Sequence, residues 1–175
     1  PDGLPCSGTV VKTLPMDETM DPHFGNLIYE CTVTPESDGI ILSYGDRVSG
    51  YMFYVQNGVP GFCFSSGQRF HALDGDASCL KQPTHLLVEM DNYNATAKFY
   101  VNGALVQTET IYCNLRGWVQ GDDDISLGAD PEPWVDPYDL SKMGGFSGSI
   151  HSFKMQRKRM TDTELTDYAR KASAK

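Results

Sequence analysis

No apolar run in the 175-residue chain approaches the roughly 20 residues needed to span a bilayer. No Arg- or Lys-led apolar leader opens it, so any secretion signal is expected to have been removed or never included. There is no C-x-x-C pair, which excludes zinc ribbons and thioredoxin-type redox centres. No Gly-x-Ser-x-Gly elbow, phosphate loop or dinucleotide fingerprint occurs either. Basic groups are few, 14 Lys and Arg against 23 Asp and Glu, for a formal charge of −9. Such a surface repels phosphate backbones and anionic lipid, so no nucleic acid and no membrane partner is expected. What the chain does have is 17 Gly, 10 Pro and, with 8 Phe, 9 Tyr and 2 Trp, an ample supply of strand-forming aromatics.

The five cysteines are Cys6, Cys31, Cys63, Cys79 and Cys113, an odd count that leaves at least one thiol unpaired. Cys31 falls in register with Leu27, Tyr29 and Val33 and reads as a buried strand thiol. Cys6, Cys79 and Cys113 lie in turn-like stretches where cross-linking is open, and the pairing is left undetermined. This usage favours a secreted or extracellular chain over a cytosolic one. Asn94-Ala95-Thr96 is a glycosylation sequon on an expected turn.

The dominant hydrophobic period is two. Leu27, Tyr29, Cys31 and Val33 alternate with polar neighbours, as do Ala95, Ala97, Phe99 and Val101. Asn57-Gly58 and Asn102-Gly103 supply the two positive φ values of a type I′ hairpin turn. Strands are expected near 7–12, 24–34, 38–44, 50–56, 59–65, 68–73, 84–91, 95–101, 104–111, 124–129 and 145–156. That number exceeds one flat sheet and predicts a two-sheet antiparallel sandwich. Thr161-Asp162-Thr163-Glu164 is a capping box, followed by a stripe of Leu165, Tyr168, Ala169 and Ala172. It predicts a short C-terminal helix over about 161–172, docked on the sandwich. The whole chain, 1–175, is read as a single domain with its core over about 24–156.

Several segments, in order, carry a resemblance. Gly39-Ile-Ile-Leu-Ser-Tyr-Gly45, Gly50-Tyr-Met-Phe-Tyr-Val55, Lys98-Phe-Tyr-Val-Asn-Gly103, Asp124-Ile-Ser-Leu-Gly-Ala-Asp130 and Phe146-Ser-Gly-Ser-Ile-His-Ser-Phe153 precede Met160 to Leu165. Together, over about residues 24–170, they resemble laminin-G-like, concanavalin A-like lectin and glucanase modules, of the kind appended to sulfatases and glycoside hydrolases. The resemblance implies an all-β jelly-roll sandwich. It leaves function open, because lectins, adhesion modules, hydrolases and lyases share that fold.

Hydrolases on this fold need two carboxylates, which for retention stand about 5–5.5 Å apart. Residues i and i+2 of a strand share a face, so Glu-x-Asp-x-Glu would put three carboxylates together; the chain offers Glu89-Met90-Asp91, and Tyr93 stands where the third belongs. The plainer reading is a strand-end Glu and a turn-opening Asp. His23, His71, His85 and His151 are scattered and read as surface or packed residues. No catalysis is expected.

Binding is the expectation instead. Sugar rings stack on aromatics and exchange hydrogen bonds with polar side chains. Trp118 and Trp134 fall in the irregular stretch 116–144, and Trp134 is framed by Pro133 and Pro137 beside Tyr138. Trp134, Tyr138 and Trp118, with Asp46 and Arg47 of a turn and Tyr54 as an outward strand position, form the candidate ligand set. The alternative for the tryptophans is plugging the sandwich edge. Calcium takes six to eight oxygens from carboxylates and loop carbonyls. Asp130, Asp136, Asp122 and Asp21 are its candidate ligands, against the alternative of solvated acidic loops. Arg157-Lys158-Arg159 is a small basic run, read plainly as a solvated linker. The expected function is therefore a non-catalytic carbohydrate-binding, lectin-like module for a polysaccharide, with a parent catalytic domain as a further expected partner. An accessory module packing on a parent secreted enzyme, and a hydrolase or lyase with an unrecognised site, are the alternatives.

Overall fold

The computed structural model describes residues 2–16, 25–45, 49–66, 69–111, 124–131 and 143–175. Within them, β1 (Leu4–Ser7), β12 (Ser147–Arg157), β3 (Leu27–Pro35), β8 (Thr84–Asp91), β9 (Thr96–Val101) and β10 (Ala104–Thr110) form one antiparallel sheet in that order. The second sheet runs β2 (Lys12–Leu14), β11 (Ile125–Leu127), β4 (Gly39–Gly45), β5 (Ser49–Gln56), β6 (Val59–Ser66) and β7 (Arg69–Asp74). The helix α1 (Asp162–Ser173) follows β12.

The period-two pattern decides which side chains lie between the sheets. Tyr29, Cys31 and Val33 of the first sheet meet Tyr51, Phe53, Phe62 and Phe64 of the second in one buried cluster. Tyr29 and Tyr51 lie 4.8 Å apart between ring centroids, and Phe53 meets Phe62 edge-on at 4.8 Å. The sandwich, the hairpins and the core aromatics therefore follow the sequence reading. Asn57 and Gly58 have φ of 54° and 77°, Asn102 and Gly103 of 49° and 82°, as the hairpin turns require. The N-terminal strand differs from expectation. Instead of one strand at 7–12, the chain makes β1 in the first sheet and β2 in the second, and Gly8, at φ 91°, lies between them. A strand that changes sheet carries no periodic signature, because its inward face switches midway.

The cysteines depart further. Cys6, Cys31, Cys63 and Cys79 are all buried, and Cys6, Cys31 and Cys79 are free thiols. The cross-linking considered for Cys6 and Cys79 is not made by the structure, and Cys113 lies outside the described residues. Burial pushes the Cys79 thiol up to about 11 and raises Cys6 and Cys31 as well, so these groups behave as small apolar side chains rather than nucleophiles.

Candidate functional site

The helix creates the main polar feature of the described molecule. Thr161 caps α1: its hydroxyl accepts from the Glu164 amide at 3.3 Å, while the Glu164 carboxylate accepts from the Thr161 amide at 2.9 Å. Leu165 and Ala169 then bury against Ile28, Leu87 and Tyr100 on the outer face of the first sheet. At the far end the β9–β10 turn abuts the helix. A Cβ on Gly103 would meet the Ser173 Oγ at 2.7 Å and the Arg170 Cα at 2.9 Å, so glycine serves both the turn and the docking. This apolar seat divides the outer face into two polar flanks.

On one flank, Glu30 of β3 is buried, only 3% exposed, with its carboxylate fully engaged. Oε1 accepts from His85 Nε2 at 3.1 Å. Oε2 accepts from the Tyr168 hydroxyl at 2.6 Å, from Lys154 Nζ at 3.0 Å and from Gln156 Nε2 at 3.4 Å. The Tyr168 hydroxyl in turn accepts from Gln156 Nε2 at 2.6 Å and from Lys154 Nζ at 2.9 Å. Strand register brings these groups together: Lys154 stands directly opposite Glu30, and His85 opposite Thr32. Burial alone pushes the Glu30 carboxyl up. The hydrogen bonds from His85, Tyr168 and Lys154, with the Lys154 charge, outweigh it and hold the group below its ordinary range. An ionised Glu30 accepts only, so the proton between the pair sits on His85 Nε2. His85 Nδ1 is buried without a hydrogen-bond partner. Beside this network opens a pocket of about 590 Å³ whose walls include Glu30, Thr32, His85, Lys154, Lys171 and Lys175. His151 and Ser152 join it, and His151 Nε2 lies 2.9 Å from the Thr34 hydroxyl.

On the other flank, Glu89 of β8 is 1% exposed and faces Lys98 across the ladder. The Lys98 ammonium pairs with Asp162 of the helix. Glu89 Oε2 is buried without a partner. Burial, then the nearby Asp91 charge, push its carboxyl up to about 7, against the pull of Lys98. Asp91 is committed to the turn that follows it. Its Oδ1 accepts from the Tyr93 and Asn94 amides at 2.9 and 3.0 Å, and its Oδ2 from Asn94 Nδ2 at 2.7 Å. The Glu89–Asp91 pair is thus closed over by helix and turn, as the plainer reading of that motif anticipated. Asn94 of the sequon is exposed on this turn.

The outer face of the second sheet holds a smaller apolar cluster of Ile40, Met52, Tyr54 and Cys63, with Phe70, Ala72 and Met143 against it. Tyr54 was expected as an accessible sugar contact, and here the structure corrects the sequence reading. It is 1% exposed, and its hydroxyl donates to Asp74 Oδ1 at 2.7 Å. The cause is Gly61, its cross-strand partner, where a Cβ would lie 2.3 Å from the Tyr54 ring. The missing side chain leaves a slot that the phenol fills. Trp134, Tyr138, Trp118, Asp46 and Arg47 lie outside the described residues, as do the candidate calcium ligands Asp136, Asp122 and Asp21. Asp130 is described and half-buried just beyond β11. Among the described residues no three His, Cys, Asp or Glu side chains converge as a metal-holding group. The Glu30–His85–Tyr168 network was not anticipated. Its only sequence signal was a glutamate within the inward-outward alternation of a strand, together with a tyrosine on the helix stripe.

No family model and no curated protein sequence matches the chain. Solved structures do resemble it. The CBM40 module of the Ruminococcus gnavus IT-sialidase superposes with a TM-score of 0.65 at 19% identity, over 95% of this chain and 98% of that one. The same module has been solved bound to α2,3 sialyllactose. Domains LG4-5 of the mouse laminin α1 chain match with a TM-score of 0.70 at 13% identity, over 91% of this chain and 42% of theirs. The leech intramolecular trans-sialidase matches with a TM-score of 0.66 at 17% identity, over 97% of this chain and 28% of that enzyme. At such identities the likeness speaks for architecture. With two six-stranded antiparallel sheets and one C-terminal helix among the described residues, the chain has a jelly-roll sandwich fold like that of these concanavalin A-like structures.

Proposed function

We propose that this chain is a non-catalytic carbohydrate-binding module, secreted and appended to a larger enzyme. The observation that carries the reading is the end-to-end correspondence with the CBM40 module of the Ruminococcus gnavus IT-sialidase, 95% of one chain on 98% of the other. The match to 28% of the leech enzyme supports an appended role. The absence of catalysis is supported by the fate of Glu89 and Asp91, one sealed beneath α1 and the other spent on a turn. Secretion now rests on the glycan reading alone, since Cys6, Cys31 and Cys79 are free thiols.

Trp134 and Tyr138, with Trp118, Asp46 and Arg47, are proposed to contact the sugar, and calcium is proposed to assist through Asp130, Asp136, Asp122 and Asp21. The test titrates a panel of polysaccharides into wild type and Trp134→Ala, with calcium and with chelator. A glycan whose binding weakens at least about tenfold in Trp134→Ala supports the reading, since one base- or sugar-sized stacking contact contributes roughly 1–2 kcal/mol. Equal binding by both proteins removes Trp134 from the site, and unchanged affinity under chelation removes the ion. Turnover of any polysaccharide, lost in Glu89→Gln, contradicts the non-catalytic assignment.

A further inference from the structure

The pocket beside Glu30 has a charge that the rest of the chain lacks. Its walls carry Lys154, Lys171 and Lys175 against the single carboxylate of Glu30, three positive charges less one negative. The whole chain stands at −9. Residues 150–175 hold Lys154, Arg157, Lys158, Arg159, Arg170, Lys171 and Lys175 against only Asp162, Glu164 and Asp167, so half of the 14 basic side chains gather on this strand and helix. The carbonyls at the C-terminal end of α1 contribute about half a negative charge, which does not cancel the surplus. Lys154 is already occupied with Glu30 and Tyr168. Lys171 and Lys175 make no ion pair among the described residues.

The remaining wall is built for hydroxyls. Thr32, Ser152 and His151 line it, and the Glu30 carboxylate is held ionised and in place from four donors. His85, 7% exposed, lines it too. A volume of about 590 Å³ falls in the range of small-molecule sites, which run from roughly 300 to 1,000 Å³. A bare inorganic anion would make no use of the Thr32 and Ser152 hydroxyls, and a neutral sugar would make no use of the two lysine charges.

We propose that this pocket, between α1 and strands β3, β8 and β12, binds an anionic sugar, with Lys171 and Lys175 taking its carboxylate or sulfate and Thr32, Ser152 and His151 its hydroxyls. The site lies on the helix-bearing sheet and is lined by described residues other than those proposed above to contact the glycan, so it is tested separately from them.

The test follows the ring signals of His85 and His151 by NMR at fixed pH and ionic strength. Sodium glucuronate, glucose 6-sulfate, glucose and sodium sulfate are titrated into wild type and the Lys171→Ala/Lys175→Ala double variant. Either acidic sugar should shift both rings saturably, and the one that does so identifies the anionic group. The double variant should weaken that response about tenfold, the sum of two partly exposed ion pairs. The proposal is overturned if neither acidic sugar shifts the rings, if glucose or sulfate alone binds as tightly, or if the double variant binds like wild type. Its failure alongside retained polysaccharide binding would leave the module reading intact.

Discussion

Glu30 and Glu89 stand on neighbouring strands, on the same sheet face, beneath the same helix, and are 3% and 1% exposed. Their carboxyls move in opposite directions. Glu30 is held below the ordinary carboxylate range and Glu89 is pushed up to about 7. Burial penalises both charges, so burial cannot explain the difference. Partners do. Glu30 collects donors from β8, β12 and α1, whereas the lysine opposite Glu89 is shared with Asp162, and a second carboxylate, Asp91, lies nearby. Two buried acids on adjacent strands thus illustrate the same rule: desolvation sets the cost and the hydrogen-bond count sets the sign.

The largest test of the comparison is removal of Glu30. Glu30→Ala leaves Lys154, His85, Gln156 and Tyr168 without their common acceptor, and should lower unfolding free energy by about 3 kcal/mol in urea titrations at pH 7. A loss below about 1 kcal/mol would mean that the network is not what secures the helix. The next test uses pH. Because the folded Glu89 keeps its proton to about 7, its contribution is present below the unfolded value of 4.5 and is lost as pH rises through 7. Across that window the protein should lose roughly 3 kcal/mol at most, and Glu89→Gln should abolish the slope. Glu30 has the opposite sign: its contribution is present above its unfolded value and lost as pH falls through its lowered folded value. A Glu89→Gln protein with the wild-type pH profile between 4.5 and 7 would break the contrast.

Tyr168→Phe keeps the ring but removes the hydroxyl that donates to Glu30 and accepts from Lys154 and Gln156. It should cost about 1–2 kcal/mol, read as a shift in urea midpoint. The smallest effect is expected for Thr161→Ala, which removes the helix cap without touching a hydrogen bond to either glutamate and should cost about 1 kcal/mol. An equal loss in Tyr168→Phe and Thr161→Ala would assign the helix's role to its own stability rather than to Glu30.

Much of this architecture was legible in the sequence because it is written locally. Alternation marked Tyr29, Cys31 and Phe99 as inward, the two Asn-Gly pairs set their hairpins, and the capping box marked the start of α1. What was not legible depends on cross-strand register. Tyr54 is outward by alternation and yet buried, because residue 61 happens to be glycine on the strand beside it. Lys154 and Glu30 are 124 positions apart and meet only because β12 pairs with β3. Cys6 sat in a turn-like stretch, but pairing of β1 with β12 carries it into the core. The tryptophan segment, chosen because aromatics framed by proline are good sugar platforms, lies outside the described residues, so that part of the site rests on the sequence.

The central claim is that the chain recognises glycan, and an array of immobilised glycans probed with the intact chain tests it most directly. The account predicts retention on a restricted set of structures, released by the same glycan in solution and diminished in Trp134→Ala. Uniform background across the array, with calcium and without it, would contradict it.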